Sequence, residues 1–253
     1  MINNFYKNKK VLVTGATGFK GAWLCYWLYI LGAKVSGIGF NPNKNKNLFY
    51  SLNLNKKIKL KLFDIRDKKK LKSFINVSNP QIVFHLAAQS LVRKSYLNPL
   101  ETFSTNVEGT LNVLESLRTL QKKCACVFIT SDKCYENNEW VWGYRETDRL
   151  GGSDPYSASK ACAELSIKSY FDSFFKNEQS VVRISSARAG NVIGGGDWSE
   201  DRIVPDCIRA WSKGKTVKLR SPNSTRPWQH VLEPLSGYLL LASNLYRDEN
   251  LNG

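Results

Sequence analysis

The chain has 253 residues, 42% of them hydrophobic and 23% charged, with a net charge of +16. That length suits one large α/β domain with part of a smaller lobe, and the composition is that of a globular protein rather than a disordered or fibrous one. Met1 to Lys10 is polar and basic, and the longest apolar run, Trp23 to Leu31, is far short of the ~20 residues a bilayer span needs, so neither a secretory signal nor a membrane span is expected and the location expected is cytoplasmic.

Six cysteines (Cys25, Cys124, Cys126, Cys134, Cys162, Cys207) form no CxxC pair, and His85 and His230 lie far apart. No metal site is expected, and free thiols in a reducing compartment are. Residues 1–72 hold 16 Lys/Arg against only Asp64 and Asp67. Most of these lysines stand among asparagines without interleaved aromatics, as on solvated loops and helix faces, so no nucleic-acid partner is expected.

In chain order, Lys10 to Thr14 reads as a short buried strand, Gly15 to Gly21 as a glycine-rich turn, and Ala22 to Leu31 as a helix apolar nearly all round, stopped by Gly32. Ala33 to Phe40 and Ile58 to Phe63 are the second and third strands. Asp67 to Val77 is a helix with Asp67 at its start. Gln81 to Leu86 is the fourth strand, and Pro99 to Leu120 a long amphipathic helix with Val107, Leu111, Leu114 and Leu117 on one side. Cys124 to Thr130 is the fifth strand. Residues 131–154 form a polar, tryptophan-bearing loop long enough to suggest a functional one. Pro155 to Phe175 is a helix, Val181 to Ser186 the sixth strand, and Pro234 to Leu245 a last helix. The alternation predicts a Rossmann-like doubly wound parallel sheet of the α/β class. The divisions expected are a dinucleotide-binding domain over 1–187, with 228–246 packing back on it, and an incomplete substrate lobe over 188–253.

Three patterns carry chemistry. Glycines between a first strand and a helix let the backbone approach a pyrophosphate, which the helix N-terminus then attracts. Tyr156-Ser-Ala-Ser-Lys160 places a phenol and an ammonium on one helix face, where the cation is expected to pull the phenol's pKa down. Thr130-Ser131-Asp132-Lys133 follows the fifth strand, at the carboxyl end where such sheets bind ligands.

Thr14-Gly15-Ala16-Thr17-Gly18-Phe19-Lys20-Gly21 resembles the TGxxGFxG motif of the extended short-chain dehydrogenases/reductases. The Tyr156/Lys160 motif and Ser131 match the same group, and similarity to its nucleotide-sugar dehydratases and epimerases runs from Val11 to about Leu245. The segments that carry it include Gln89 to Tyr96, Trp140 to Glu146, Ala189 to Trp198 and Arg226 to Pro234. The resemblance implies NAD, held at Gly15, Thr17, Gly18, Phe19, Gly21, Asp64, Ile65, Leu86, Ala87, Ala88, Tyr156 and Lys160. The acid that usually follows the second strand to hold the ribose is replaced by Asn41, and the residues themselves leave NAD and NADP open.

Asp132-Lys133 resembles the pair in dehydratases acting on CDP-glucose. It implies oxidation of the sugar at C4 by Tyr156 with Ser131, loss of the 6-hydroxyl assisted by Asp132 with Lys133 as the C5 base, and reduction at C6. Arg93, Asn106, Asn191, Arg202 and Arg226 are the implied substrate-binding residues. A homodimer or higher homo-oligomer through the helices at 99–120 and 155–175 is the implied assembly.

Overall fold

The computed structural model describes residues 2–40, 42, 47–177 and 179–253; Asn41, and with it the expected ribose contact, lies outside the described residues. Six strands, β1 (Lys10–Thr14), β2 (Lys34–Gly39), β3 (Lys59–Leu62), β4 (Ile82–His85), β5 (Cys124–Ile129) and β6 (Val182–Ala187), form one sheet in the order β3-β2-β1-β4-β5-β6. All pairings are parallel. The order reverses between β1 and β4, which opens the crevice where doubly wound sheets take ligands. A short parallel pair, β7 (Val192–Ile193) and β8 (Gln229–His230), lies outside the main sheet.

The helices are α1 (Ile2–Phe5), α2 (Phe19–Ile30), α3 (Leu48–Ser51), α4 (Leu54–Lys57), α5 (Lys68–Ser78), α6 (Val92–Leu97), α7 (Pro99–Phe103), α8 (Gly109–Leu117), α9 (Pro155–Tyr170), α10 (Ile203–Trp211) and α11 (Leu232–Arg247). β1, β4 and β5 are buried along nearly their whole length, as strands covered on both faces must be. On one face Leu24, Leu28, Leu235, Leu239 and Leu245 pack with Val11, Val13 and Val127. On the other, Leu71, Ile75, Val113, Leu114 and Ile167 pack with Leu12, Val83 and Phe128. α11 therefore returns to the sheet and shares the core with α2.

Several elements depart from the sequence expectation. α2 begins at Phe19, so Phe19 to Gly21 belong to its first turn. α3, α4 and α6 fall in stretches expected to be loop. β3 is shorter and largely exposed, with Leu62 on the surface, because it is an edge strand with a single neighbour. The long helix is continuous but widens into one π-type turn, Ser104–Glu108, between α7 and α8.

Candidate active site

The glycine turn owes its shape to contact. Gly15 sits at φ +69°, and a Cβ there would lie 2.8 Å from the Ala87 nitrogen. At Gly21 a Cβ would run into the Gly15 carbonyl, so α2 could not start this close to β1 with any side chain at that position. Asp67 and Asp154 cap α5 and α9 through their carboxylates, whereas no side chain caps α2 at Gly18. The first turn of α2 thus offers backbone N–H groups without a side-chain partner, the arrangement that suits a pyrophosphate.

Beside the turn, Thr14 Oγ1 accepts from the Ala87 N–H at 3.2 Å and lies 2.7 Å from His85 Nδ1. His85 Nε2 lies 3.2 Å from Thr110 Oγ1, whose hydroxyl already donates to the Asn106 carbonyl at 2.7 Å. Nε2 must therefore donate, leaving Nδ1 to accept from Thr14, which specifies a neutral imidazole. Burial reinforces this and pushes the His85 pKa down to about 3, with Lys160 adding to the effect.

At the end of β3, Asp64 accepts from Arg66 Nε at 2.9 Å, and Arg66 also reaches Ser104 Oγ at 3.0 Å. That hydrogen bond holds the Asp64 carboxyl below the usual carboxylate range. Ile65 is buried beneath Gly109. Asp64 and Ile65 thus follow β3, and Leu86, Ala87 and Ala88 follow β4, at the same carboxyl end of the sheet.

The reactive groups gather beyond β5. Ser131 Oγ donates to Asp132 Oδ1 at 2.9 Å and accepts from the Lys133 N–H at 3.2 Å. Tyr156 is buried on the first turn of α9, with Ser131 close enough to act on its phenol. Its backbone N–H donates to Ser95 Oγ at 3.2 Å. Lys160, one turn on, is 7% exposed.

The expected lowering of the phenol's pKa is not what the structure shows. Burial is the largest influence on Tyr156 and pushes it up; Ser131's hydrogen bond and Arg202's charge pull down, and the charges of Asp132 and Asp154 add to the rise. Desolvation instead acts on the ammonium, lowering Lys160 to about 8 against the opposing charge of Glu164.

One functional group was missed by sequence reasoning. Lys20 reaches Tyr238 Oη on α11 at 3.5 Å, and its pKa falls to about 8, first through desolvation and then through the charges of Lys160 and Arg202, with Asp132 opposing. Its place between Phe19 and Gly21 in the glycine motif was the available signal.

The implied substrate residues divide. Arg202 pairs with Asp197 at 2.8 Å, and its charge is felt at both Tyr156 and Lys20, so it belongs to the reactive group. Asn191 stands at the start of the β7–β8 pair, its carbonyl accepting from the Gln229 N–H at 3.0 Å. Arg93 pairs with Asp201 at 2.7 Å and is mostly exposed. Arg226 is exposed and donates to the Thr225 carbonyl. Asn106 requires correction. It is 1% exposed, its Oδ1 accepts from the Gln89 N–H, and its Nδ2 donates to the Gln89 carbonyl and to Ser159 Oγ, all within 3.0 Å. It braces α9 against the turn after β4 and has no free polar atom for a substrate.

A doubly wound parallel sheet, a glycine turn at its first strand and a Ser/Tyr/Lys group across the crevice define an extended short-chain dehydrogenase/reductase. Residues 12–251 match the family model described as GDP-mannose 4,6 dehydratase, and the chain belongs to that family. It is similar to the CDP-glucose 4,6-dehydratase of Salmonella typhimurium (strain LT2), with 52% identity over 97% of this chain and 69% of that protein. Among solved structures, the epimerase Mth375 of Methanothermobacter thermautotrophicus superposes with a TM-score of 0.82 at 26% identity, over 96% of this chain and 70% of that one. The dTDP-glucose 4,6-dehydratase DesIV of Streptomyces venezuelae, solved with NAD bound, gives 0.80 at 22% identity over 92% and 71%, a likeness of fold.

Proposed function

We propose that this protein is an NAD-dependent hydro-lyase that converts CDP-glucose to CDP-4-keto-6-deoxyglucose. The observation that carries the reading is that Ser131 and Asp132 stand together at the end of β5, Ser131 Oγ donating to Asp132 Oδ1, with Tyr156 near enough for both to act on its phenol. An epimerase has no need of a carboxyl group there. The 52% identity to a CDP-glucose 4,6-dehydratase supports the choice of sugar nucleotide.

NAD, when bound, would supply the hydride acceptor for C4 of the sugar and, once reduced, the hydride donor for C6. The uncapped first turn of α2 and the side-chain-free approach at Gly15 fit its pyrophosphate, with Thr17, Gly18 and Phe19 in the same turn. Asp64, Ile65, Leu86, Ala87 and Ala88 would border it, and Lys160 would hold the ribose on the reactive side. Tyr156 takes the proton of the 4-hydroxyl, and Ser131 orients that hydroxyl. The resulting ketone acidifies the C5 proton, which Lys133 removes while Asp132 protonates the departing 6-hydroxyl, so that one water is lost across C5–C6. C5 regains a proton as C6 is reduced. Arg202 and Asn191 would hold the diphosphate, a forked guanidinium matching it with paired charge-assisted hydrogen bonds; Arg93 and Arg226 flank the same side.

The same reading assigns residues 1–187 with 228–246 to cofactor binding and 188–253 to part of the sugar-nucleotide lobe. It pairs subunits through α7–α8 and α9. It also places the enzyme in the cytoplasm, in keeping with six free cysteines and with the lack, among the described residues, of a helix long and apolar enough to cross a membrane.

The test is incubation of the purified protein and NAD with CDP-, dTDP- and UDP-glucose in turn, with product analysis by NMR. A 4-keto-6-deoxy product from CDP-glucose is expected. C4 inversion without loss of the 6-hydroxyl would identify an epimerase and overturn the assignment of Asp132.

A further inference from the structure

One turn past Lys160 on α9, Glu164 is 5% exposed and both its carboxylate oxygens are committed. Oε1 accepts from Thr130 Oγ1, and Oε2 accepts from Ser186 Oγ at 3.0 Å and Arg188 Nη2 at 2.9 Å. Arg188 donates its Nη1 to the Glu146 carbonyl at 3.0 Å and lies 4.8 Å over the ring of Tyr135. Tyr135 in turn stacks on Tyr144 at 5.2 Å. A single ion pair therefore joins α9, the ends of β5 and β6, and three points of the 131–154 loop.

No step of the proposed reaction uses either charge. A buried ion pair is a poor source of stability, because apolar residues of the same volume do as well or better. The pair must earn its desolvation cost by fixing geometry, and what it fixes is specific. Thr130 is bonded directly to Ser131, so the carboxylate on α9 grips the strand that presents Ser131 and Asp132 to Tyr156.

We propose that Glu164 and Arg188 are the positioning pair of this active site: they set the distance between the β5 end and α9 and dock the 131–154 loop. The proposal rests on the dehydratase reading for its kinetic arm only. The titratable groups around Lys160 are Glu164 from α9 and Lys20 from α2, both charged, with the Cys134 thiol from the turn after β5 and the neutral His85 from β4. Glu164 is the largest influence holding the ammonium protonated, so its loss must lower the pH at which Lys160 gives up its proton.

The experiment compares Glu164→Gln, Arg188→Met, the double variant and Thr130→Val in the full chain. Lys160 titration is read without substrate, from the pH dependence of its acylation followed by mass spectrometry. In Glu164→Gln the titration should move down by roughly half a pH unit or more, and kcat on CDP-glucose should fall about 10–100-fold with KM changed less than about threefold. Thr130→Val strands no charge and should lose about fivefold in kcat. The double variant should regain the melting temperature that either single variant loses, but not the turnover. An unmoved Lys160 titration in Glu164→Gln, or a double variant restored in both stability and kcat, overturns the proposal. Failure of the unaltered protein to convert CDP-glucose overturns the dehydratase reading instead and leaves the titration to decide this one.

Discussion

Arginine meets carboxylate in two regions of this molecule, and the settings are opposite. At the carboxyl end of the sheet, Arg188 and Glu164 have side chains 18% and 5% exposed. In the outer segment after β7, Arg93 and Arg220 share Asp201, with side chains 66%, 50% and 37% exposed. Breaking a buried pair strands a charge and costs about 3–5 kcal/mol, whereas exposed pairs contribute about 0–1 kcal/mol and exchange partners freely. The first region is built to hold reactive groups still. The second holds its arginines in pairs that cost little to break. Arg202, paired with a buried Asp197, stands between the two.

The largest effect expected of the rigid region is loss of its phenol. Tyr156→Phe should lower kcat about 10³–10⁴-fold while shifting the melting temperature by no more than about 2 °C; a fall below tenfold in a product assay would break the contrast at its strongest point. Asp132→Asn should slow dehydration about 10²–10³-fold and let a 4-keto sugar that retains its 6-hydroxyl accumulate, visible by NMR.

His85 tests the same region through folding. Its pKa is depressed to about 3 in the folded chain, so the unfolded chain binds the extra proton between pH 6.5 and about 3. Stability should therefore drop as pH falls through that window, with a slope contribution of about 1.4 kcal/mol per pH unit. Denaturant titrations at several pH values would measure it, and His85→Gln should flatten the slope. Smaller effects belong to Arg202, between the two regions, and to the outer region itself. Arg202→Ala should raise KM for the sugar nucleotide about 10–30-fold, whereas Arg220→Ala should change KM less than about threefold and the melting temperature by about 1 °C.

The sequence made the sheet readable because β1, β4 and β5 are built on continuous apolar runs, and it made the two ends of the site readable because glycine spacing and the Tyr-x-x-x-Lys interval are local. What it hid is nonlocal. Glu164 meets Arg188 across 24 residues, and Lys20 comes within electrostatic range of Arg202 and Lys160 only after folding, so its place inside the glycine turn gave no sign of these neighbours. The phenol's acidity was misjudged for the same reason: interval reveals that a cation is near but not that the site is dry, and here dryness outweighs it. Asn106 was placed in the right neighbourhood with the wrong duty, because only the coordinates show both ends of its amide already taken.

The widened turn at Ser104–Glu108 sets a limit on how this chain can vary in length. Each residue of a helix advances the direction of its side chain by about 100°, and a π-type turn inserts one extra residue into the winding. Upstream of it, Thr102 meets Gln89; downstream, Leu114 and Leu117 face the core; Asn106 bridges the two from within. Removing one residue from this turn would let the helix rewind into a regular spiral with its two ends in nearly the same phase, whereas removing one from α7 or α8 would swing the ends against each other by more than a quarter of a circle. A deletion is therefore absorbed only here, and only if it spares Asn106, whose amide braces α9.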